Sequence, residues 1–165
     1  IGFCPGAEFG PAKRWPHYHY AQLAHALIQQ GCRIVLFGSQ KDHPVGEDIR
    51  AQLNESQEEQ CLNLCGQTQL EEAVILIAGC DAIVSNDSGL MHIAAALDKP
   101  LIALYGPTSP DFTPPLSDNA KVIRLITGYH KIRKGDAEQG YHQSLIDITP
   151  DLVLTELNSR LRPME

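Results

Sequence analysis

The chain has 165 residues, of which 43% are hydrophobic and 20% charged, a composition that indicates one globular domain. Its formal charge of −7 argues against a nucleic-acid-binding protein. Its longest apolar run, 73–84, is interrupted by Asp81 and is too short to cross a membrane as a helix.

Strand and helix patterns alternate along the chain. Apolar, β-branched runs predict strands at 1–4, 33–37, 62–64, 82–85, 101–105 and 121–126. Apolar residues at helical spacing predict helices at 20–28, 45–53, 70–78, 90–97 and 150–161. Continuous apolar strands between helices indicate a doubly wound parallel α/β sheet. Ligands of such sheets bind beyond the carboxyl ends of the strands, so the loops there form the candidate site.

The start of the chain and its cysteines indicate its domain organisation and its redox environment. The first strand starts at Ile1 without an initiator Met or a basic leader, so we expect one domain of a longer protein. No Cys-x-x-Cys pair is present, which argues against a zinc or thioredoxin-like site. The cysteines are predicted to be small buried side chains in a reducing cytoplasm; they are Cys4, Cys32, Cys61, Cys65 and Cys80.

The most informative segment is the turn between the fourth strand and the next helix. Asp87, Ser88 and Gly89 supply a carboxylate, a hydroxyl and a close backbone approach, and His92 follows in the first helical turn. The first N–H groups of a helix have no intrahelical partner and carry about half a positive charge. The turn is therefore a candidate diphosphate site. The alternative is that Asp87 and Ser88 only cap the helix.

Three other loops at the same edge of the sheet carry polar residues or glycine. Lys13 and Arg14 follow the first strand, the segment 38–42 with Asp42 follows the second, and the turn 106–110 follows the fifth. Cations suit phosphate, and a carboxylate can accept hydrogen bonds from ribose hydroxyls, so together the loops predict a nucleotide-sugar site. Taken singly, each loop has a structural alternative: a solvated basic pair, a helix cap or an ordinary turn.

Three common motifs of α/β proteins are absent from the sequence. It has no Gly-x-Gly-x-x-Gly after the first strand, no Gly-x-x-x-x-Gly-Lys-[Ser/Thr], and no Gly-x-Ser-x-Gly. These absences argue against a dinucleotide dehydrogenase, a P-loop NTPase and an α/β-hydrolase.

Three segments of the chain are distinctive when taken together: PGAEFGPAKRWP at 5–16, NDSGLMHIAAAL at 86–97 and YGPTSP at 105–110. Their combination resembles the ADP-heptose–lipopolysaccharide heptosyltransferases. The loop TGYHKIRKGD at 127–136 and the segment GYHQSL at 140–145 resemble one branch of that family in particular. The resemblance extends over essentially the whole chain.

The resemblance implies a Rossmann-like sheet that is the C-terminal half of a two-domain GT-B glycosyltransferase. Residues 1–165 would be a single ADP-sugar (donor) binding domain, with the acceptor-binding amino-terminal domain absent from the chain. The implied reaction is inverting transfer from ADP-L-glycero-D-manno-heptose to heptosyl-Kdo2-lipid A of the lipopolysaccharide inner core. The general base is expected on the amino-terminal domain, so this domain alone should be inactive.

The resemblance also implies roles for individual residues. Lys13 would neutralise the diphosphate and the charge that grows on the ADP leaving group, and Asp42 would hold the ribose. The turn at 87–89 would contact the heptose and the diphosphate, and His92 would reach toward them. The alternative for His92 is a buried core histidine. The predicted donor site comprises Gly6, Ala7, Lys13, Asp42, Thr68, Asp87, Ser88, Gly89, Leu90 and His92.

Expectations for cofactors and partners follow from the same resemblance. No cofactor is expected to be required, and the sequence has no Asp-x-Asp triplet. Mg²⁺ could still stimulate the reaction, although the sequence encodes no site for it. The loop 129–143, with Lys131, Arg133 and Lys134, either faces the acidic lipid acceptor or is a solvated loop. The expected location is the cytoplasm, in peripheral contact with the inner membrane. Two alternatives stay open: a nucleotide-sugar epimerase domain, and a non-catalytic α/β ligand-binding module.

Overall fold

Six parallel strands form one sheet at the centre of the domain. The computed structural model describes residues 1–7, 10–107, 114–126 and 139–161. The strands are β1 Gly2–Cys4, β2 Ile34–Leu36, β3 Cys61–Asn63, β4 Ile83–Asn86, β5 Leu101–Leu104 and β6 Ala120–Ile123. Their order is β3-β2-β1-β4-β5-β6, with every neighbouring pair parallel. The order therefore reverses between β1 and β4, which is where doubly wound sheets bind ligands.

Helices cover both faces of this sheet. They are α1 His17–Gln29, α2 His43–Arg50, α3 Glu55–Glu58, α4 Leu70–Ala78, α5 Gly89–Ala96, α6 Gln143–Ile146 and α7 Pro150–Asn158. α1 packs against α2 and α7 over one face, and α4 packs against α5 over the other. None of the helices in the described part of the chain is long and apolar enough to cross a membrane.

Successive strand residues pack into two different hydrophobic clusters, one on each face. Phe3 and Val84 lie in the cluster beneath α1, while their neighbours Cys4 and Ile83 lie in the cluster beneath α4 and α5. Side chains alternate between faces along a strand, so a strand covered on both sides needs apolar residues at every position. This burial explains the continuous apolar runs of the sequence.

The predicted fold class is confirmed. All six predicted strands and all five predicted helices are present, with ends that differ by a few residues. The last helix ends at Asn158 rather than at residue 161. The sequence pattern did not predict α3 and α6, because each is four residues long and carries no apolar period.

Trp15 ties the loop after β1 to the C-terminal part of the domain. Its side chain is fully buried, and its Nε1–H donates to the Ile148 carbonyl at 2.8 Å. We expect Trp15→Phe to lower the free energy of unfolding by about 1–3 kcal/mol, because the Ile148 carbonyl loses its donor. Urea denaturation followed by circular dichroism measures this loss. Leu152→Ala, at an exposed position of α7, is the control, and equal midpoints for Trp15→Phe and wild type would contradict the prediction.

Candidate functional site

A cleft of about 780 Å³ opens at the carboxyl ends of β1, β2 and β4. It lies at the edge of the sheet where the sequence predicts a ligand, and at the reversal of strand order. Small-molecule sites have volumes of about 300–1,000 Å³, so the cleft can hold a nucleotide sugar. The lining residues are Cys4, Gly6, Ala7, Gly10, Arg14, Phe37, Gly38, Ser39, Gln40, Lys41, Asp42, Leu70, Ser88, Gly89, Leu90 and Ile93.

The N-terminus of α5 forms one wall of this cleft. Ser88 occupies the N-cap position with extended backbone angles, φ −150° and ψ 169°, and its side chain makes no cap hydrogen bond. Its Oγ lies 3.3 Å from the Ser85 Oγ instead. Since the Ser88 side chain does not cap the helix, the first N–H groups keep their capacity to bind an anion. Ser88 and Gly89 both line the cleft, so an anion there would meet these groups.

Two sets of contacts hold Asp42, which lines the cleft in the loop after β2. Its Oδ2 accepts hydrogen bonds from the Ser39 backbone N–H at 2.9 Å and the Ser39 hydroxyl at 3.1 Å. Its Oδ1 lies 3.7 Å from an Arg14 guanidinium nitrogen. Two glycines make room for it: a Cβ on Gly6 would overlap the carboxylate, and one on Gly38 would lie 2.7 Å from Oδ2. One carboxylate oxygen of Asp42 thus caps the 3₁₀ helix at Gln40–Asp42, and the other oxygen faces Arg14.

The loop after β1 brings a cation to the cleft. Gly10 has a φ of 97°, which side chains rarely adopt, and it precedes a short 3₁₀ helix at Pro11–Lys13. The 3₁₀ helix ends at Lys13, and Arg14 follows it with extended backbone angles. Arg14 lines the cleft, whereas Lys13 lies next to it in the chain and outside the lining.

One part of the cleft is apolar. It is formed by Cys4, Phe37, Leu70, Leu90 and Ile93. Burial raises the pKa of the Cys4 thiol to about 12, so this side chain is neutral at physiological pH. A neutral apolar patch beside polar loops suits the flat face of a nucleobase. Sequence reasoning missed Phe37, Leu70 and Ile93, because apolar residues at the ends of strands and helices follow the same pattern as core residues.

The cysteines agree with the sequence interpretation of unpaired thiols. All five are free; Cys4, Cys61 and Cys65 are buried as predicted, whereas the prediction of burial is wrong for Cys32 and Cys80, which are partly exposed. Burial raises the pKa of Cys61 and of Cys65 to about 12. Within the ranges that the structure describes, no group of three or more His, Cys, Asp or Glu side chains could hold a metal ion. The metal requirement of the protein stays a prediction.

The structure brings together some of the predicted donor-site residues and not others. Those that line the cleft are Gly6, Ala7, Asp42, Ser88, Gly89 and Leu90, and those outside its lining are Lys13, Thr68, Asp87 and His92. His92 is exposed on α5, so its alternative as a buried core histidine is wrong. Lys131, Arg133 and Lys134 lie outside the described residues. The individual roles stay predictions.

Comparison with known proteins decides the family. The profile described as glycosyltransferase family 9 (heptosyltransferase) matches residues 1–142. The chain belongs to glycosyltransferase family 9. The predicted resemblance is thereby confirmed.

Two curated relatives show which part of the family this chain is similar to. Lipopolysaccharide heptosyltransferase 2 of Salmonella typhimurium is 74% identical over 161 residues, which are 98% of this chain and 46% of the relative. Lipooligosaccharide heptosyltransferase 2 of Haemophilus influenzae is 69% identical over 162 residues, again 98% of this chain and 47% of the relative. The branch predicted from the loop 127–136 is heptosyltransferase II, in agreement with these names. The chain spans about half the length of the curated relatives it matches.

Solved structures of family 9 proteins share the fold. The Escherichia coli ADP-heptose lps heptosyltransferase II matches with a TM-score of 0.90 and 68% identity, covering 97% of this chain and 45% of that chain. An E. coli heptosyltransferase solved with ADP matches with a TM-score of 0.76 and 25% identity, covering 96% and 43%. The chain therefore matches a little under half the length of each of these two solved structures.

Proposed function

We propose that this chain is the donor-binding, carboxyl-terminal half of a heptosyltransferase that moves heptose from ADP-heptose to the lipopolysaccharide inner core. One observation carries the proposal: the cleft combines a helix N-terminus, an arginine–carboxylate pair and an apolar patch where the strand order reverses. The names of the relatives support heptose transfer. The E. coli heptosyltransferase structures with ADP and with ADP-2-deoxy-2-fluoro heptose support the same donor.

The parts of the cleft suit the parts of an ADP-sugar. Leu70, Leu90 and Ile93 offer apolar surface for the adenine. Asp42 can accept a hydrogen bond from a ribose hydroxyl through the oxygen that faces Arg14. The start of α5, which the Ser88 side chain does not cap, offers backbone N–H groups to the diphosphate. The heptose would then extend past the turn at 87–89 toward the acceptor.

The transfer step places new negative charge on the ADP. The bond from the anomeric carbon to the diphosphate oxygen breaks, and its electron pair stays with the departing oxygen. The N-terminus of α5, together with Lys13, would stabilise that charge. An acceptor hydroxyl attacks the anomeric carbon with inversion while a general base takes its proton. The resemblance to the heptosyltransferases leads us to place this base on the amino-terminal half; within this chain, Asp42 is engaged by Ser39 and Arg14.

The remaining parts of the proposal concern the setting of the reaction. The acceptor is heptosyl-Kdo2-lipid A, so the enzyme would work in the cytoplasm at the inner face of the inner membrane. Cations and the helix dipole would supply the charge stabilisation that a metal gives other glycosyltransferases.

Calorimetric titration of the intact protein with ADP, UDP and GDP tests the proposed donor. We expect ADP to bind at least about ten times more tightly than UDP or GDP, a difference of about 1.4 kcal/mol. Asp42→Asn should weaken ADP binding, whereas Asp118→Asn, outside the cleft lining, should not. A preference for UDP would support the epimerase alternative. No nucleotide binding at all would support the binding-module alternative.

Gly89→Ala separates ligand binding from folding. A Cβ at Gly89 meets no atom within 4 Å, so the free energy of unfolding should change by less than about 0.5 kcal/mol. A diphosphate over the first turn of α5 would meet this methyl group, so we expect the Kd for ADP to rise about tenfold. Gly79→Ala, where the nearest atom is 3.5 Å from the Cβ, is the control. Equal ADP affinity of Gly89→Ala and wild type would place the diphosphate elsewhere.

A further inference from the structure

Asn86 is a fully buried polar residue at the end of β4. Its Oδ1 accepts hydrogen bonds from the Trp15 backbone N–H at 3.0 Å and from the Tyr20 hydroxyl at 2.8 Å. Its Nδ2 donates to the carbonyls of Pro5 at 2.8 Å and Gly6 at 3.3 Å. A carboxamide has two N–H donors and one oxygen with two lone pairs, so every hydrogen-bonding position of this side chain is used.

The partners of Asn86 belong to the segment that carries the other wall of the cleft. Gly6 lines the cleft directly, and Trp15 follows Lys13 and Arg14 in the chain. Tyr20 is fully buried, and burial raises its pKa well above the usual value, so its hydroxyl keeps the proton that it donates. Asn86 itself immediately precedes the turn at 87–89. One side chain therefore connects both sides of the cleft.

The geometry of these bonds constrains the distance between the two sides. If a buried carboxamide loses one of its hydrogen bonds, a polar group is left with no partner from protein or water. The arrangement with all four bonds is therefore strongly preferred. Three of the four bonds reach the backbone, at Pro5, Gly6 and Trp15, and the fourth reaches the buried Tyr20 hydroxyl. Backbone segments held in this way keep the cation-bearing loop at a fixed position relative to the start of α5.

We propose that Asn86 is a positioning residue that holds the loop with Lys13 and Arg14 in place against the diphosphate-binding turn. The inference rests on the proposed donor site and assigns Asn86 no contact with substrate. It acts through the cations, so its loss should change the use of the donor beyond its effect on stability.

Asn86→Asp in the intact protein tests this role. The variant keeps the size of the side chain but replaces the N–H donors facing the Pro5 and Gly6 carbonyls with an acceptor. We expect kcat/KM for ADP-heptose to fall about 10- to 100-fold, because small displacements of catalytic groups have effects of this size. Tyr20→Phe removes a single donor to Oδ1 and should have a smaller effect in the same direction. Tyr20→Phe keeps the test decisive if Asn86→Asp does not fold.

A double-mutant cycle with Lys13→Ala distinguishes positioning from a merely structural role. If Asn86 acts through the cation, adding Asn86→Asp or Tyr20→Phe to Lys13→Ala should cause little further loss of kcat. The inference would be overturned if the losses of kcat in the two single variants multiplied in the double variant. It would also be overturned if the Asn86 and Tyr20 variants lowered the melting temperature and left kcat unchanged. Failure of the proposed function looks different: wild-type protein would not bind ADP, and Lys13→Ala would leave activity unchanged.

Discussion

Lys13→Ala is expected to lower kcat for heptose transfer by about 100- to 1,000-fold, which corresponds to about 2.7–4 kcal/mol of transition-state stabilisation. The side chain belongs to the 3₁₀ helix that follows β1, beside the cleft. A cation at that place would act most strongly on the charge that develops as ADP departs, so kcat should fall more than donor affinity. Steady-state kinetics with ADP-heptose and the lipid acceptor measure both quantities.

Two further variants make the Lys13 result specific. Lys121→Ala removes an exposed lysine on β6, outside the cleft lining, and should leave kcat within about twofold of wild type. Arg14→Ala should mainly raise KM for the donor, because the Arg14 guanidinium lies 3.7 Å from Asp42 and would help to fix the ribose-binding carboxylate. A kcat for Lys13→Ala equal to that of Lys121→Ala would contradict the assigned role.

Gly6→Ala is expected to weaken donor binding by about 10- to 100-fold and to lower the free energy of unfolding by about 1–3 kcal/mol. The added Cβ would overlap the Asp42 carboxylate, so either the loop after β1 or the Asp42 side chain has to move. Both line the cleft, and the Gly6 carbonyl also accepts a hydrogen bond from Asn86. Calorimetric titration with ADP and thermal unfolding measure the two effects.

The cause of the Gly6→Ala effect can be isolated with a second substitution. Adding Asp42→Gly to Gly6→Ala removes the overlapping carboxylate, so stability should recover while ADP binding stays weak. Gly79→Ala serves as the control for the methyl group itself, since its Cβ would make ordinary contacts. Unchanged stability and affinity in Gly6→Ala would show that the close approach of Gly6 to Asp42 is not required.

The sheet could be predicted from sequence because its burial leaves a local signal. Ile83 and Val84 face opposite hydrophobic clusters, and both positions must be apolar for that reason. The turn at 87–89 could be predicted too, because a strand end, a glycine and a helix start are adjacent in the chain. Each of these signals is contained in a few neighbouring residues.

The contacts within the cleft could not be predicted in the same way. Asp42 and Arg14 are 28 positions apart, and their pairing depends on the loops after β1 and β2 meeting at one edge. The sequence also does not show whether Lys13 or Arg14 lines the cleft, because a small change in the 3₁₀ helix would exchange the positions of their side chains. Asn86 stood inside the predicted turn motif, yet only the folded chain shows its side chain buried against Trp15 and Tyr20.

Trp15 is the single tryptophan among the 165 residues of the chain. Its indole is shielded from water and meets the Tyr20 ring edge-on, with centroids 4.8 Å apart and planes at 80°. The same residue follows Lys13 and Arg14 and gives its backbone N–H to Asn86. Within this chain, tryptophan fluorescence therefore arises from one emitter next to the cation-bearing loop, and a shift of its emission on nucleotide binding would be an optical signal of movement there.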